Sequence, residues 1–321
     1  MDIQERTRLL LPLEERGYRV RVVAVERVWE LQEEIAARQR EGQLDETFCQ
    51  LRLGSYRFGP PEELPGARSL IVVAVPRGQT EMVFHWRGRP HPFILPPTYA
   101  CYGSVMRQVQ SQVGELLRPA GYSVAGTALP LKLLAARSGL TAYGRNNIGY
   151  VPGMGSFLQL VAVYSDLPCP EDEWGEARML ERCQKCHACQ RSCPTGAISK
   201  ERFLLHAERC LSFHNERPAD VPFPDWINPA GHTSPEGCMH CQRVCPEDQA
   251  VLGWIESREE FDEGETALFL EGAPRERHAP ATLEKLERLE MDDDIALFRR
   301  NLGVLLLTIP SSKEDSMEPA V

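Results

Sequence analysis

The sequence predicts an α/β (α+β) body followed by a small cysteine-rich domain. Three observations carry this. At 321 residues the chain is long for one compact core. Strand-like and helix-like stretches alternate through roughly the first half. Eight of the 11 cysteines crowd between residues 183 and 245. The expected division is 1–172 for the α/β domain, 173–255 for the cysteine-rich domain and 256–321 for a helical segment packed back on the body. Residues 311–321 are expected to be a disordered tail.

The elements follow in order. Residues 1–16 read as a helix. YRVRVVAVE (18–26) alternates like a strand, and ERVWELQEEIAARQR (26–40) has helical spacing. RSLIVVAVP (68–76) is a short apolar run ending at Pro76, as a buried strand requires. EMVFHWRGRPHPFIL (81–95) alternates around Gly88 and predicts a hairpin. Val105, Val109, Val113, Leu116 and Leu117 share one helical face, with Ser104 as expected N-cap and Pro119 as stop. A helix over 130–138, then a glycine-rich turn and two strands over 144–166, complete the body. Ile295, Phe298, Leu302 and Leu305 predict a last amphipathic helix.

Composition narrows the function classes. With 42% hydrophobic and 26% charged residues the chain reads as ordinary and globular. The apolar runs LIVVAV and VLLL are too short to cross a bilayer. The N-terminus shows no clean signal-peptide core, so a cytoplasmic setting is expected. Net charge is −10, and residues 256–321, with 17 acidic and 8 basic side chains, hold −9 of it. That balance disfavours general nucleic-acid binding, while the nearly neutral remainder leaves room for a local basic patch.

The cysteines carry the strongest signal. Cys183, Cys186, Cys189 and Cys193-Pro194 form CxxCxxCxxxCP, and Cys238, Cys241 and Cys245-Pro246 form CxxCxxxCP. In such runs three thiolates wrap one [4Fe–4S] cluster and the fourth reaches to a second. Cys210 completes the count. The expected ligands are Cys183, Cys186, Cys189 and Cys245 for one cluster, and Cys193, Cys210, Cys238 and Cys241 for the other. Zinc would need neither a closing Cys-Pro nor the motif twice. His187, His214 and His240 lie nearby as surroundings, and Cys49, Cys101 and Cys169 read as ordinary cysteines. Elsewhere no GxGxxG, P-loop or CxxCH occurs. The unusual Gly139–Asn147 stretch (GLTAYGRNN) is either a tight loop or a backbone laid against a large cofactor.

The order AARSGL, TAYGRNN, IGYVPGMGSF, LQLVAVYSDLPC and the two cysteine runs resembles epoxyqueuosine reductase and the related cobalamin-dependent reductive dehalogenases. The similarity extends over about residues 68–307 and includes Ser165-Asp166-Leu167-Pro168 and RRNLGVLLL (299–307). The resemblance implies a nitroreductase-like domain binding cobalamin, joined to a ferredoxin-like domain with two [4Fe–4S] clusters. It places the corrin against Tyr143, Gly144, Arg145, Asn146, Asn147, Gly155 and Ser156. It also implies a low-potential electron donor such as ferredoxin or flavodoxin. The family's acidic residue in V-D-T-x-P is replaced here by Ala125, and no helical-repeat extension follows residue 307. Both departures speak against tRNA and for a small organic substrate. Tyr99 and Tyr102 are the expected substitute proton donors, with Arg145 as an anion partner; Lys132 and His91 are weaker choices. Two alternatives stand beside the cobalamin-dependent reductase: an electron-transfer activator reducing a partner's corrinoid or metal centre, and epoxyqueuosine reduction in tRNA.

Overall fold

The computed structural model describes residues 3–307. The expected tail at 311–321 lies outside them. Helix α1 (Ile3–Glu15) leads to strand β1 (Arg19–Ala24) and helix α2 (Arg27–Arg40). Strand β2 (Ser69–Pro76) and the hairpin of β3 (Gln79–Trp86) and β4 (Arg89–Leu95) follow. Helix α3 (Tyr102–Leu117), strand β5 (Val124–Gly126) and helix α4 (Leu131–Arg137) come next. The two-residue strands β6 (Ala142–Tyr143) and β7 (Gly149–Tyr150) precede the long strand β8 (Leu158–Ser165).

The main sheet is antiparallel in the order β1-β2-β8-β5. Strand β2 is an unbroken apolar run because both of its faces are covered. Leu70, Val72 and Ala74 enter a core shared with Val28, Leu31 and Leu134 from α2 and α4. Ile71, Val73 and Val75 enter the opposite core, shared with Leu10, Leu13, Val109, Val113 and Leu117 from α1 and α3. Strand β8 alternates in the same way: Leu158, Leu160, Ala162 and Tyr164 to one side, Val161 and Val163 to the other. The period of two sends successive side chains to opposite layers.

The hairpin turns on Arg87 and Gly88, both at positive φ (53° and 70°), the conformation a two-residue hairpin needs. The expected N-cap Ser104 is displaced: Cys101, at φ 56°, precedes the helix, and Ser104 lies in its first turn. Glu290, from the far end of the chain, accepts the Ser104 backbone N–H at 2.9 Å. A residue 186 positions away caps this helix, which no local pattern announces.

The cysteine-rich lobe contains little regular structure, chiefly α5 (Ala188–Ser192), α6 (Leu211–Asn215) and α7 (His240–Arg243). Beyond it, the expected all-helical segment begins with a strand, β9 (Ile255–Phe261), parallel to β3. IESREEF hides this strand because most of its side chains face solvent. Helices α8 (Glu263–Glu271), α9 (Pro280–Leu289) and α10 (Ile295–Leu307) then pack on the smaller sheet. Ile295, Phe298, Leu302 and Leu305 are buried there against Phe84, Phe261 and Phe269. Helix α10 also grips the cysteine lobe: Arg300 donates to the carbonyls of Val221 and Asn215 at 2.7 and 2.9 Å, and buried Asn301 donates to that of Pro235 at 2.7 Å. Among the described residues no helix is long and apolar enough to cross a membrane.

Candidate functional site: two thiol quartets and one cavity

The eight clustered cysteines fall into two sets. Cys183, Cys186, Cys189 and Cys245 ring a small void of about 20 Å³. Cys193, Cys210, Cys238 and Cys241 border a cavity of about 550 Å³. Part of that larger volume is the space the second quartet itself encloses. The quartets adjoin where Cys189 comes within electrostatic reach of Cys241, on the packed helices α5 and α7. Among the described residues no three His, Cys, Asp or Glu side chains converge tightly enough to hold a single metal ion. The thiols stand around voids, as ligands of a larger inorganic unit do.

The electrostatics of the quartets favour the same kind of occupant. Burial, followed by neighbouring thiols, pushes Cys189 up to about 11. Burial pushes Cys238 up to about 12 and Cys241 well above the usual thiol range. Four thiolates close together in a desolvated site need a positive centre to be stable. Binding iron supplies it and releases the protons.

The glycine-rich segment is anchored on the cysteine lobe. Arg145 Nε donates to the Cys186 carbonyl at 3.1 Å, and its guanidinium also reaches the Cys183 carbonyl. Asn147 donates to the Phe203 carbonyl at 2.8 Å and accepts the Leu205 N–H at 2.5 Å. Tyr143 pairs through its backbone with Arg178 and Leu180 at 2.8 Å. Gly144 lies over Tyr150, where a Cβ would collide. Gly155, at φ 59°, lies against Asp248, and a Cβ there would come within 2.8 Å of the Glu247 carbonyl. These five residues bracket the cysteine lobe. Of the seven expected at the corrin, Asn146 and Ser156 line the large cavity. The close backbone approach that the glycines permit is to another part of the same chain.

Two of these residues knit the lobes together. Ser156 donates from its backbone N–H and its hydroxyl to Asp248 at 2.7 and 2.8 Å, and accepts from Gln242 at 2.9 Å. Asp248 is 0% exposed. Asn146 borders both voids. It donates to the Tyr150 hydroxyl at 2.9 Å and lies close enough to the Cys241 thiol to favour its ionised form. Tyr150 does the same for Cys245. One short chain of polar groups therefore reaches a thiol of each quartet.

The large cavity lies between the α/β body and the second quartet. Its apolar walls include Leu131, Ile148, Leu158, Leu160, Ile198 and Leu205, and its polar lining includes Arg52, Tyr56, Tyr102 and Lys132. Tyr99 and Tyr102, expected as proton donors, both line it; Arg145 and His91 do not. Arg145 is held by the first quartet's loop, and His91 sits on β4 beside the Trp86 carbonyl. Tyr99 is half-buried, and its hydroxyl donates to Glu216. Arg52 donates to the other Glu216 oxygen at 2.6 Å. Burial, then Glu216, raises the Tyr99 pKa well above the usual phenol range. Burial, with Asp294 and Glu216 adding repulsion, pushes Glu236 up to about 8. Arg52, Glu216 and Glu236 carry no motif, and only the fold brings them together. His240 lines the cavity with Nε2 at 2.9 Å from the Gly231 carbonyl. Ala125, on β5, is buried in the core and does not line the cavity.

The residues present fit a corrinoid. The volume lies within the range of about 300–1,000 Å³ usual for ligand sites. Apolar walls suit the faces of a flat macrocycle, the polar lining suits amide groups at its edge, and the second quartet forms part of the same surface.

Comparison with known proteins agrees with this architecture. Residues 182–248 match the 4Fe-4S double cluster binding domain family. The epoxyqueuosine reductase of Escherichia coli (strain K12) is 28% identical over 218 residues, covering 65% of this chain and 55% of that protein. The match thus spans about half the length of that relative. The structure of epoxyqueuosine reductase from Streptococcus thermophilus superposes with TM-score 0.66 at 18% identity, covering 95% of this chain and 81% of that one. An epoxyqueuosine reductase solved with an epoxyqueuosine-modified tRNA-Tyr stem loop gives TM-score 0.59 at 20% identity, over 77% of this chain and 66% of that one. The chain is similar to these reductases, shares their fold, and carries a double-cluster iron–sulfur domain.

Proposed function

We propose that this chain is an iron–sulfur oxidoreductase in which two [4Fe–4S] clusters deliver single electrons to a cobalamin that reduces an organic substrate in the large cavity. The observation that carries the reading is the shared wall: the second thiol quartet and the α/β body border one cavity. Cys183, Cys186, Cys189 and Cys245 would hold one cluster, and Cys193, Cys210, Cys238 and Cys241 the other. When bound, the corrin supplies the low-valent metal chemistry of reductive bond cleavage. The chain supplies position, exclusion of water and a proton. Leu131, Leu158 and Leu160 would contact the corrin face, and Asn146 and Ser156 its edge. Tyr102, which lines the cavity without a carboxylate partner for its hydroxyl, is the better placed proton donor. Tyr99 is the weaker acid, because its hydroxyl is committed to Glu216.

Anaerobic reconstitution with iron, sulfide and cobalamin tests this. About eight irons and one cobalt per chain, with the EPR signal of a corrinoid lacking its lower ligand, is the expected result. Iron without retained cobalt would turn the reading to an activator that reduces a partner's corrinoid. Zinc in place of iron would sink both. The similarity to epoxyqueuosine reductases favours a second reading, reduction of epoxyqueuosine in tRNA. Unchanged queuosine content in tRNA from a strain lacking this chain would eliminate it.

A further inference from the structure

The two quartets are unequally placed, and the surface around the first has a distinctive charge. The second quartet faces the cavity. The first does not border it, and its loop lies at the surface: Gln184 and Lys185, between Cys183 and Cys186, are exposed, as is Val244 beside Cys245. Electron transfer between proteins falls steeply with distance, so a donor must approach where a redox group is nearest to solvent. That place is the first quartet.

Exposed basic side chains flank its ligands along the chain. Arg178, Arg182, Lys185, Arg191 and Arg243 are all exposed. Arg182, 61% exposed, pairs with Glu247 at the edge of the first quartet. Lys185, Arg191 and Arg243 have no carboxylate within ion-pair distance among the described residues. Arg191 and Arg243 lie on α5 and α7, the two helices that pack together beneath the quartets. Glu173, Glu176 and Glu181 are exposed acids in the same stretch, Glu173 being paired with Arg21. The unpaired cations Lys185, Arg191 and Arg243 belong to the nearly neutral part of the chain, which precedes the acidic residues 256–321.

We propose that Lys185, Arg191 and Arg243 form the docking surface for an acidic, low-potential electron-carrier protein of the ferredoxin type. Its single electron passes to the cluster held by Cys183, Cys186, Cys189 and Cys245. The inference rests on the iron–sulfur reading above. In each encounter the carrier is oxidised by one electron and that cluster is reduced by one, with no bond made or broken. The cationic face also sets the orientation of an acidic partner. The acidic C-terminal segment has the wrong sign for this partner.

The test uses the reconstituted full chain and an acidic two-[4Fe–4S] ferredoxin as probe. Affinity for the oxidised ferredoxin is measured by titration calorimetry, and reduction by stopped-flow absorbance with either reduced ferredoxin or dithionite. The triple variant Lys185→Glu/Arg191→Glu/Arg243→Glu is expected to weaken Kd about tenfold or more and to slow reduction by ferredoxin in proportion. Dithionite reduction and iron content should stay unchanged. The neutral triple variant to Gln should fall between it and wild type. Arg8→Glu/Arg16→Glu/Arg118→Glu, at exposed positions of the α/β body, matches the change in net charge. Unchanged affinity and rate in the triple variant, or an equal loss in the control, would overturn the proposal. So would a triple variant that keeps its ferredoxin kinetics but loses binding to a tRNA stem loop, which would make the face an RNA surface. Failure of the wild-type chain to assemble any iron–sulfur chromophore is a separate result. It would sink the iron–sulfur reading itself and the docking surface with it.

Discussion

The two thiol quartets arise from nearly the same spacing, yet their surroundings differ. The first sits under an exposed, cationic loop around a small void; the second is walled by the α/β body and opens on the large cavity. The contrast gives the pair a direction. A cluster close to solvent can be reached by a partner, and one at the cavity wall can reach a bound molecule. Identical motifs become different devices through what packs on them.

The largest effects come from removing one quartet at a time. Cys241→Ser is expected to drop iron from about eight to about four per chain and to abolish reduction of anything bound in the cavity. Cys186→Ser should lose a similar amount of iron while the cavity-side cluster remains reducible by dithionite. Equal phenotypes, read by iron content and EPR, would break the asymmetry.

The lobe contact is the next target. In Gly155→Ala the added Cβ meets Asp248 and the Glu247 carbonyl, and positive φ adds backbone strain. A loss of roughly 1–3 kcal/mol is expected, seen as a lower melting temperature with earlier bleaching of the clusters. Little change would mean that the lobes are held mainly by α10.

Asn146 sharpens the comparison, since it touches both voids. Asn146→Ala removes an amide dipole that favours the ionised Cys241 and the donor to Tyr150. Hydrogen bonds to cluster sulfur tune reduction potential. Redox titration followed by EPR should therefore show the cavity-side cluster moving to a lower potential, with a smaller shift at the first cluster. Shifts confined to the first would contradict the placement.

The smallest effect concerns pH. Asp294 is pushed up from 3.8 to about 6, mainly by burial and then by its neighbours Asp293 and Asp292. A carboxyl raised in the fold binds more protons folded than unfolded. Its stabilisation is complete below the unfolded value and is lost as pH rises through about 6. Asp294→Asn should flatten the fall in melting temperature between about pH 4 and pH 7. An unchanged slope would show that another group governs it.

Much of this was legible in order along the chain. Strand β2 was readable because an all-apolar run has only buried solutions, and the C-terminal helix because Ile295, Phe298, Leu302 and Leu305 repeat with helical period. The cysteine spacing implied two quartets, since the four-cysteine run sends its last thiol to a second site and the three-cysteine run needs Cys210 to complete the count. Other features required the folded chain. The charged strand β9 shows no apolar period, and Glu290 caps a helix it follows by nearly two hundred residues. The stretch from Gly144 to Asn147 reads as a tight loop or a cofactor cradle, and only the fold shows the cysteine lobe lying against part of it, because a close approach looks the same in sequence whatever comes close. Arg52, Tyr99 and Glu216 meet at the cavity from three separate segments. Local chemistry, set by neighbours in sequence, determined the elements and the metal-ligand pattern. Which quartet faces solvent, and which residues meet at the cavity, are relations between distant segments that only packing decided.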